Sequence, residues 1–288
     1  MNDINTRRLR LKAAIFVLLT YGLSAGVDWS FLQAMGGVMW APGISALVVQ
    51  LAFERRLRGL GWRLPKARWL LAGLAFPFAY VVLAYATAWT TGAADLIPEP
   101  LAWIREILQV HIGLPVLPEW LLVPAFALAV LTLAMAMSLV AALGEEIGWR
   151  GLLQPSLQQT EGFWRASLVT GFIWAAWHWH AIVYGDYNAG GSLFGSVVLF
   201  SAMIMLMSIG MAWLTLRSGS LWPAVVVHAA HNAFIQGAFE PLTRRPEQGQ
   251  WVTGEWGVAI PVAITLVLAL SAWTLRLRAK KAAGKRPA

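Results

Sequence analysis

Residues 144–151 read Gly-Glu-Glu-Ile-Gly-Trp-Arg-Gly, and they close an uncharged apolar run that extends from 121 to 143. Two adjacent carboxylates at the end of such a run are costly to place in or near a membrane, so they call for a reason. On a helix, Glu146 and Arg150 share a face and can form an ion pair, whereas Glu145 points about 100° away. The pattern therefore predicts one carboxylate that is braced by arginine and one that is available for chemistry.

Apolar runs of similar length recur along the whole chain, which has 288 residues, is 58% hydrophobic and has a mean hydropathy of +0.61. This composition is typical of an all-α protein that crosses a membrane several times. We expect one integral membrane domain over residues 1–288, in which residues 121–239 form the core that carries the catalytic motifs. The runs predict about eight transmembrane helices, at roughly 13–32, 35–53, 69–89, 121–150, 166–184, 192–216, 221–239 and 257–275.

The basic residues are distributed unevenly between the two sides of this predicted topology. With the N-terminus in the cytoplasm, 19 of the 22 Lys and Arg residues fall on the cytoplasmic side, six of them in the loop 54–68. That is the asymmetry expected from the positive-inside rule. The net charge of +8 is therefore explained by the membrane topology, and the expected partner is the lipid bilayer. We expect no nucleic-acid binding. The predicted location is the cell membrane of a bacterium, with both termini in the cytoplasm.

Two later spans supply polar partners for the first carboxylate. His178 lies in the fifth predicted span, and His228 and Asn232 lie four residues apart in the seventh, on one helical face. We expect these side chains and Glu145 to converge on one cavity that opens toward the cytoplasm. A carboxylate and a histidine can deprotonate a water molecule, while a histidine and an amide can donate hydrogen bonds to an oxyanion. This set suits hydrolysis of a peptide bond without a cofactor or a metal ion.

Other protease chemistries lack their residues in this chain. There is no cysteine, no Gly-x-Ser-Gly and no His-Glu-x-x-His, and aspartate occurs only at positions 3, 28, 95 and 186. Two alternatives stay open. One is a non-catalytic membrane scaffold, or an immunity or regulatory protein, of the same fold. The other is a zinc-dependent membrane hydrolase that uses His178, His228 and a glutamate.

Three motifs in these spans resemble those of a known family. They are Glu145-Glu146-x-x-x-Arg150, Trp174-x-x-x-His178 and His228-x-x-x-Asn232. They look like the motifs of the CPBP family, which comprises the type II CAAX prenyl endopeptidases and the bacteriocin-processing intramembrane proteases. In that family the second motif usually begins with Phe, where this chain has Trp174.

The resemblance implies a role for each of these residues. Glu145 and His178 would activate the water, and His228 with Asn232 would form the oxyanion site. Trp174, Glu146 and Arg150 would support these four residues. Glu146 and Arg150 would do so by bracing the site. The implied substrate is a peptide or a lipidated protein at the membrane. His180 and His231 lie beside the motif positions without occupying one, and we favour a structural role for both.

Overall fold

The computed structural model describes residues 3–26, 37–185, 187, 192–245 and 251–283. Most of these residues are helical. The helices are α1 (Asp3–Ala25), α2 (Ala41–Glu54), α3 (Ala67–Thr91), α4 (Pro100–Glu106), α5 (Glu119–Ala129), α6 (Met135–Glu146), α7 (Gln154–Tyr184), α8 (Leu193–Ser218), α9 (Trp222–Phe234) and α10 (Ala259–Ala283). A 3₁₀ turn, Gly37–Trp40, precedes α2, and π-helical turns follow α4, α5, α6 and α9 at Ile107–His111, Val130–Ala134, Ile147–Leu153 and Ile235–Phe239.

Five helical stretches in the described part of the chain are long and apolar enough to cross a membrane: Gly37–Glu54, Ala67–Thr91, Glu119–Tyr184, Leu193–Ser218 and Ala259–Leu277. The prediction of an all-α membrane protein is thereby confirmed. These stretches contain six of the eight predicted spans, because the 66-residue stretch Glu119–Tyr184 holds both the fourth and the fifth. The first and seventh spans, which correspond to α1 and α9, are not among them. The number eight therefore stays a prediction.

The fourth and fifth spans are joined differently from the prediction of a loop between residues 150 and 166. Helical structure continues through the π-helical turn Ile147–Leu153 into α7, and the chain changes direction only at Gly162, where φ is +76°. Glycine adopts this angle without the steric cost that a side chain brings. The two glutamates consequently lie inside a continuous helical stretch and not at its end.

The N-terminal segment is helical from Asp3, which precedes the beginning of the predicted first span. Residues 3–12 belong to α1, and Lys12 is buried, with its Nζ 2.7 Å from Gln50 Oε1 and 3.2 Å from Glu54 Oε1. A buried ammonium needs such acceptors, which the end of α2 provides. The rest of the predicted first span, from residue 27 onward, lies outside the described residues.

A short antiparallel pair of strands joins two connections that lie far apart in the chain. Strand β1 (Asp95–Leu96), in the connection after α3, pairs with β2 (Thr243–Arg244), in the connection after α9. Asp95 pairs with Arg244 in this register. The pair fixes these two connections to each other at the same end of the helix bundle.

Three glycines of the stretch 144–151 allow a close approach between helices. A Cβ atom on Gly144 would lie 2.8 Å from the carbonyl oxygen of Met39, and one on Gly148 would lie 2.8 Å from that of Pro42. At Gly151 the nearest atom is the carbonyl oxygen of Leu60, at 3.1 Å. Backbone atoms cannot move aside as a flexible side chain can, so only glycine permits this contact. The glutamate-bearing helix is therefore seated against α2 and the turn that follows it.

Helix α9, which carries His228 and Asn232, lies among other helices of the bundle. It packs against α3, α6 and α8, and most of its residues are buried. Its second residue is Pro223, a position at which the missing backbone N–H is tolerated. The contact between α9 and α6 brings the third motif to the first.

Candidate active site

Glu145 is completely buried and is held by two indole groups. The Nε1 of Trp174 donates to Glu145 Oε2 at 2.6 Å, and the Nε1 of Trp149 donates to the same oxygen at 3.1 Å. Among the described residues Glu145 Oε1 has no hydrogen-bond partner. A buried carboxylate oxygen without a partner is costly, so its retention requires an explanation. Glu145 thus presents one anchored and one unoccupied oxygen.

Glu146 is equally buried but has partners for both oxygens. Arg150 Nη1 lies 3.1 Å from Oε1 and 3.0 Å from Oε2, and His228 Nδ1 lies 3.0 Å from Oε1. Because a carboxylate accepts, Nδ1 of His228 carries the hydrogen and Nε2 faces away from this contact. The side chains of Glu146, Arg150 and His228 therefore form one buried, connected group that links α6, the π-helical turn after it and α9.

The imidazole of His178 is oriented by the backbone of its own helix. Its Nδ1 lies 3.0 Å from the carbonyl oxygen of Trp174. A carbonyl can only accept, so Nδ1 carries the hydrogen and the basic nitrogen of the neutral ring is Nε2. Trp174 consequently touches both candidate groups for water activation, Glu145 through its indole and His178 through its carbonyl.

The four predicted catalytic residues line one cavity of about 220 Å³. Glu145, His178, His228 and Asn232 share its wall with further polar groups and with apolar side chains. The polar groups are Tyr187, His231, Gln236 and Glu255, and the apolar ones include Trp174, Trp177, Phe200, Ile204 and Met207. The structure therefore brings together the residues that the motifs place far apart in the chain. Their catalytic roles remain a prediction.

The cavity lies toward the end of the bundle opposite the basic loop 54–68, and its opening toward the cytoplasm stays a prediction. Part of its wall comes from Val38 and Met39, near the beginning of the second predicted span, and from Tyr187 and Glu255, in connections that the predicted topology places on the other side. No residue of the basic loop 54–68 lines it. Glu145 directly follows Gly144, which packs against Met39 and Trp40 just before α2.

A second buried network borders the same cavity, and the sequence analysis did not identify it. His231 Nε2 lies 3.2 Å from Glu255 Oε1, and His231 Nδ1 lies 2.7 Å from the hydroxyl of Tyr80. Gln236 Nε2 donates to Glu255 Oε1 at 3.1 Å, and the hydroxyl of Tyr187 donates to Glu255 Oε2. These contacts bind the connection before α10 to α9 and α3. The structure thus gives His231 a positioning role at the cavity wall.

Glu255 is charged in this network although it is buried. Burial disfavours the charge, but the hydrogen bonds from His231, Tyr187 and Gln236 outweigh it, so the pKa of Glu255 lies below its usual value. One sequence signal marks this residue. Glu255 is the acid of an otherwise uncharged segment, residues 251–256, directly before the last predicted span. An acid in that setting needs partners, as do the glutamates of the first motif.

Replacing Glu255 by Gln should destabilise the protein. The amide presents a donor to groups that themselves donate, so charge-assisted hydrogen bonds are lost, each worth about 1.5–3 kcal/mol. Unfolding of the purified protein in mixed micelles measures the effect as a lower midpoint. The control is Glu119→Gln, because the side chain of Glu119 is 75% exposed and its ion pair with Arg105 lies at the surface. Equal midpoints for Glu255→Gln and wild type would show that the network contributes nothing.

His180 lies outside this site. Its side chain is exposed and packs against Tyr184, with ring centroids 5.2 Å apart. It does not line the cavity.

The described residues contain no group of three His, Cys, Asp or Glu side chains arranged to hold a metal ion. His228 directs Nδ1 at Glu146 and His178 directs Nδ1 at a backbone carbonyl. The zinc-hydrolase alternative therefore has no three-ligand group in this part of the chain to support it.

Comparison with known proteins points to the same segment of the chain. Residues 120–234 match the family model described as type II CAAX prenyl endopeptidase, Rce1-like. A protein of Methanococcus maripaludis named CAAX prenyl protease 2 is 31% identical over 98 residues, which cover 33% of this chain and 36% of that protein. The chain thus spans about a third of the length of this curated relative. The family resemblance predicted from the three motifs is confirmed for the segment that carries them, residues 120–234, which matches the Rce1-like type II CAAX prenyl endopeptidases.

Proposed function

We propose that the protein is an intramembrane endopeptidase that hydrolyses a peptide bond with activated water and without a covalent intermediate. The observation that carries this proposal is the single cavity lined by Glu145, His178, His228 and Asn232, with Glu145 Oε1 unpartnered among the described residues. An unoccupied carboxylate oxygen beside a basic imidazole nitrogen can bind a water molecule and accept its proton. The match of residues 120–234 to a peptidase family supports the same reaction class.

The two water-activating groups differ in how they are held. Glu145 accepts two indole hydrogen bonds at Oε2, which leaves Oε1 to receive the proton. His178 presents Nε2, because its Nδ1 hydrogen is directed at a carbonyl. A water molecule between these two atoms would be oriented for attack on a carbonyl carbon and deprotonated in the same step.

His228 and Asn232 lie one helical turn apart on α9 and supply the groups that face the developing oxyanion. In the imidazolium form of His228, Nε2 also carries a hydrogen and donates, and Glu146 is the counter-charge for that form. The side chain of Asn232 makes no hydrogen bond with the residues that the structure describes, so its amide is free to donate into the cavity. Donors that are placed before the reaction need no reorganisation when the charge appears.

The proposed substrate is a peptide or a lipidated protein held at the membrane. Trp177, Phe200, Ile204 and Met207 give the cavity an apolar wall, which favours an apolar residue beside the scissile bond. A volume of about 220 Å³ accommodates a few side-chain groups and not a folded segment. The substrate therefore has to enter as an extended or unwound stretch.

Cleavage of a quenched, lipidated peptide library by the purified protein in detergent tests the proposal. We expect wild-type cleavage that chelators leave unchanged, and a loss of roughly 100-fold or more in His178→Ala and Asn232→Ala. His180→Ala is the matched control, because that histidine is exposed and lies outside the cavity. If a folded wild-type protein cuts none of the peptides, the proposal fails and the scaffold alternative is favoured.

Trp174→Phe should lower the rate of cleavage about tenfold with little change in KM. The substitution keeps the aromatic ring but removes the 2.6 Å hydrogen bond to Glu145, and a hydrogen bond to a charged group contributes about 1.5–3 kcal/mol. Trp179→Phe is the matched control, since Trp179 Nε1 donates to Ser201 and not to the site. Equal rates in the two variants would contradict a role for the indole N–H.

We further propose that both termini and the loop 54–68 face the cytoplasm of a bacterial cell. Because the chain has no cysteine, single cysteines report topology without background labelling. A membrane-impermeant maleimide should label Glu99→Cys in intact cells and Arg56→Cys only after permeabilisation. Both positions are exposed. The reverse pattern of labelling would overturn the orientation.

A further inference from the structure

A second cavity, of about 330 Å³, lies behind the Glu146–Arg150 pair at the basic end of the bundle. Its wall is formed by the turn after α2, by the beginning of α7 and by the end of α8. The lining residues that matter here are Gly59, Gly61, Arg150, Gln154, Thr215 and Ser220. It shares no lining residue with the candidate active site. The two cavities are therefore separate.

Three residues that line this cavity carry buried polar atoms that have no hydrogen-bond partner among the described residues. These four atoms are Arg150 Nε, Arg150 Nη2, Gln154 Oε1 and the hydroxyl oxygen of Thr215. Arg150 is 1% exposed and Gln154 is 2% exposed. An unsatisfied buried polar group is costly, so the presence of these four atoms on residues that line one cavity indicates an occupant that satisfies them together.

The unsatisfied groups specify the chemistry of that occupant. Arg150 uses Nη1 for Glu146, and its Nε and Nη2 together offer three further N–H groups in one plane. This fork matches the oxygens of a phosphate, which can accept two parallel hydrogen bonds. Gln154 Oε1 needs a donor and the Thr215 hydroxyl needs either kind of partner, so the ligand also carries a hydroxyl group.

The charge around the cavity agrees with an anionic ligand. Glu146 neutralises part of the charge on Arg150. Arg58, which directly precedes the lining residue Gly59, adds an exposed cation in the basic loop 54–68. Basic pockets at the ends of transmembrane helices attract anionic headgroups.

The volume also decides against a single water molecule as the occupant. One water occupies about 30 Å³ in the liquid, roughly a tenth of this cavity. We propose that this cavity binds a phosphate-bearing group with a free hydroxyl, held by Nε and Nη2 of Arg150. Its source is either the headgroup of an anionic glycerophospholipid or a free phosphate ester. The proposal does not rest on the peptidase activity, because binding is the quantity that tests it.

The first arm of the experiment uses a soluble probe. Glycerol 3-phosphate, titrated into the purified 288-residue protein in detergent, should raise the thermal midpoint in a saturable way. Thr215→Val removes the hydroxyl at constant size and should weaken the apparent affinity at least fivefold, as should Gln154→Leu. The control is Thr265→Val on α10, because the Thr265 hydroxyl donates to its own helix. Equal affinity in all four proteins would overturn the site.

The second arm identifies the source. Native mass spectrometry of the protein taken from nanodiscs should show retained phosphatidylglycerol with the wild type and little with Thr215→Val, while phosphatidylcholine is lost from both. Retention of phosphatidylglycerol assigns the cavity to a lipid headgroup, and a shift with glycerol 3-phosphate alone assigns it to a free ester. If neither probe binds, water fills the cavity and the proposal is wrong.

Discussion

Glu145→Gln should abolish cleavage, with a loss of about 100-fold or more in kcat, the scale expected when a general base is removed. The amide can still accept the indole hydrogen bonds of Trp149 and Trp174 through its oxygen, so the side chain should keep its position. Its other atom is then an NH₂ group, which donates and cannot take a proton from water. The substitution therefore changes the chemistry of one atom and little else.

Cleavage rates of the purified variant, with KM determined separately, measure this effect. Glu119→Gln serves as the control, because that side chain is 75% exposed and distant in sequence from every motif. An unaltered kcat in Glu145→Gln would show that another group is the base, with His178 the next candidate. A raised KM with the same kcat would instead assign Glu145 to substrate binding.

Glu146→Ala should have the largest effect on folding. It leaves the guanidinium of Arg150 buried without its counter-charge and His228 without its acceptor. Removing one partner of a buried ion pair costs about 3–5 kcal/mol, most of it from the uncompensated charge. We expect little folded protein in the purified variant, measured as the fraction that elutes as a monodisperse species in detergent.

A double substitution distinguishes the loss of charge balance from a general disturbance of packing. Replacing the pair by apolar groups, as in Glu146→Ala with Arg150→Met, removes the unpaired charge and should recover part of the folded fraction. Glu119→Ala, which breaks the surface pair with Arg105, should change stability by less than about 1 kcal/mol. If the double variant folds no better than the single one, the buried charge is not the cause.

The fold could be predicted to the extent that apolar composition determines it. Runs of about 20 apolar residues identify transmembrane helices because the bilayer core has a fixed thickness, and α3, α8 and α10 begin within about two residues of the predicted spans. The same criterion could not show that helical structure continues from residue 150 to the turn at Gly162. That segment is polar enough to be read as a loop, and the π-helical turn at its start packs against α2 and α8.

The candidate site was predictable where two residues of one helix share a face. Glu146 with Arg150 form the ion pair that their spacing predicts, and the structure places His228 and Asn232 on the same cavity. The partners of His231 were not predictable in this way. Glu255 lies 24 residues away in a connection, and only the three-dimensional path of that connection brings it to α9. The hydrogen bonds from Trp174 and Trp149 to Glu145 were not predictable either, because they depend on the direction in which the two side chains point.

The position of Glu255 in the chain also sets the order in which the cavity is made. Ribosomes synthesise a protein from its N-terminus, so Glu145, His178, His228 and Asn232 are all synthesised before Glu255. At that stage the nascent chain has every residue of the three motifs but lacks one wall of the cavity. Translation must therefore pass codon 255 before the compartment around the reactive groups can close.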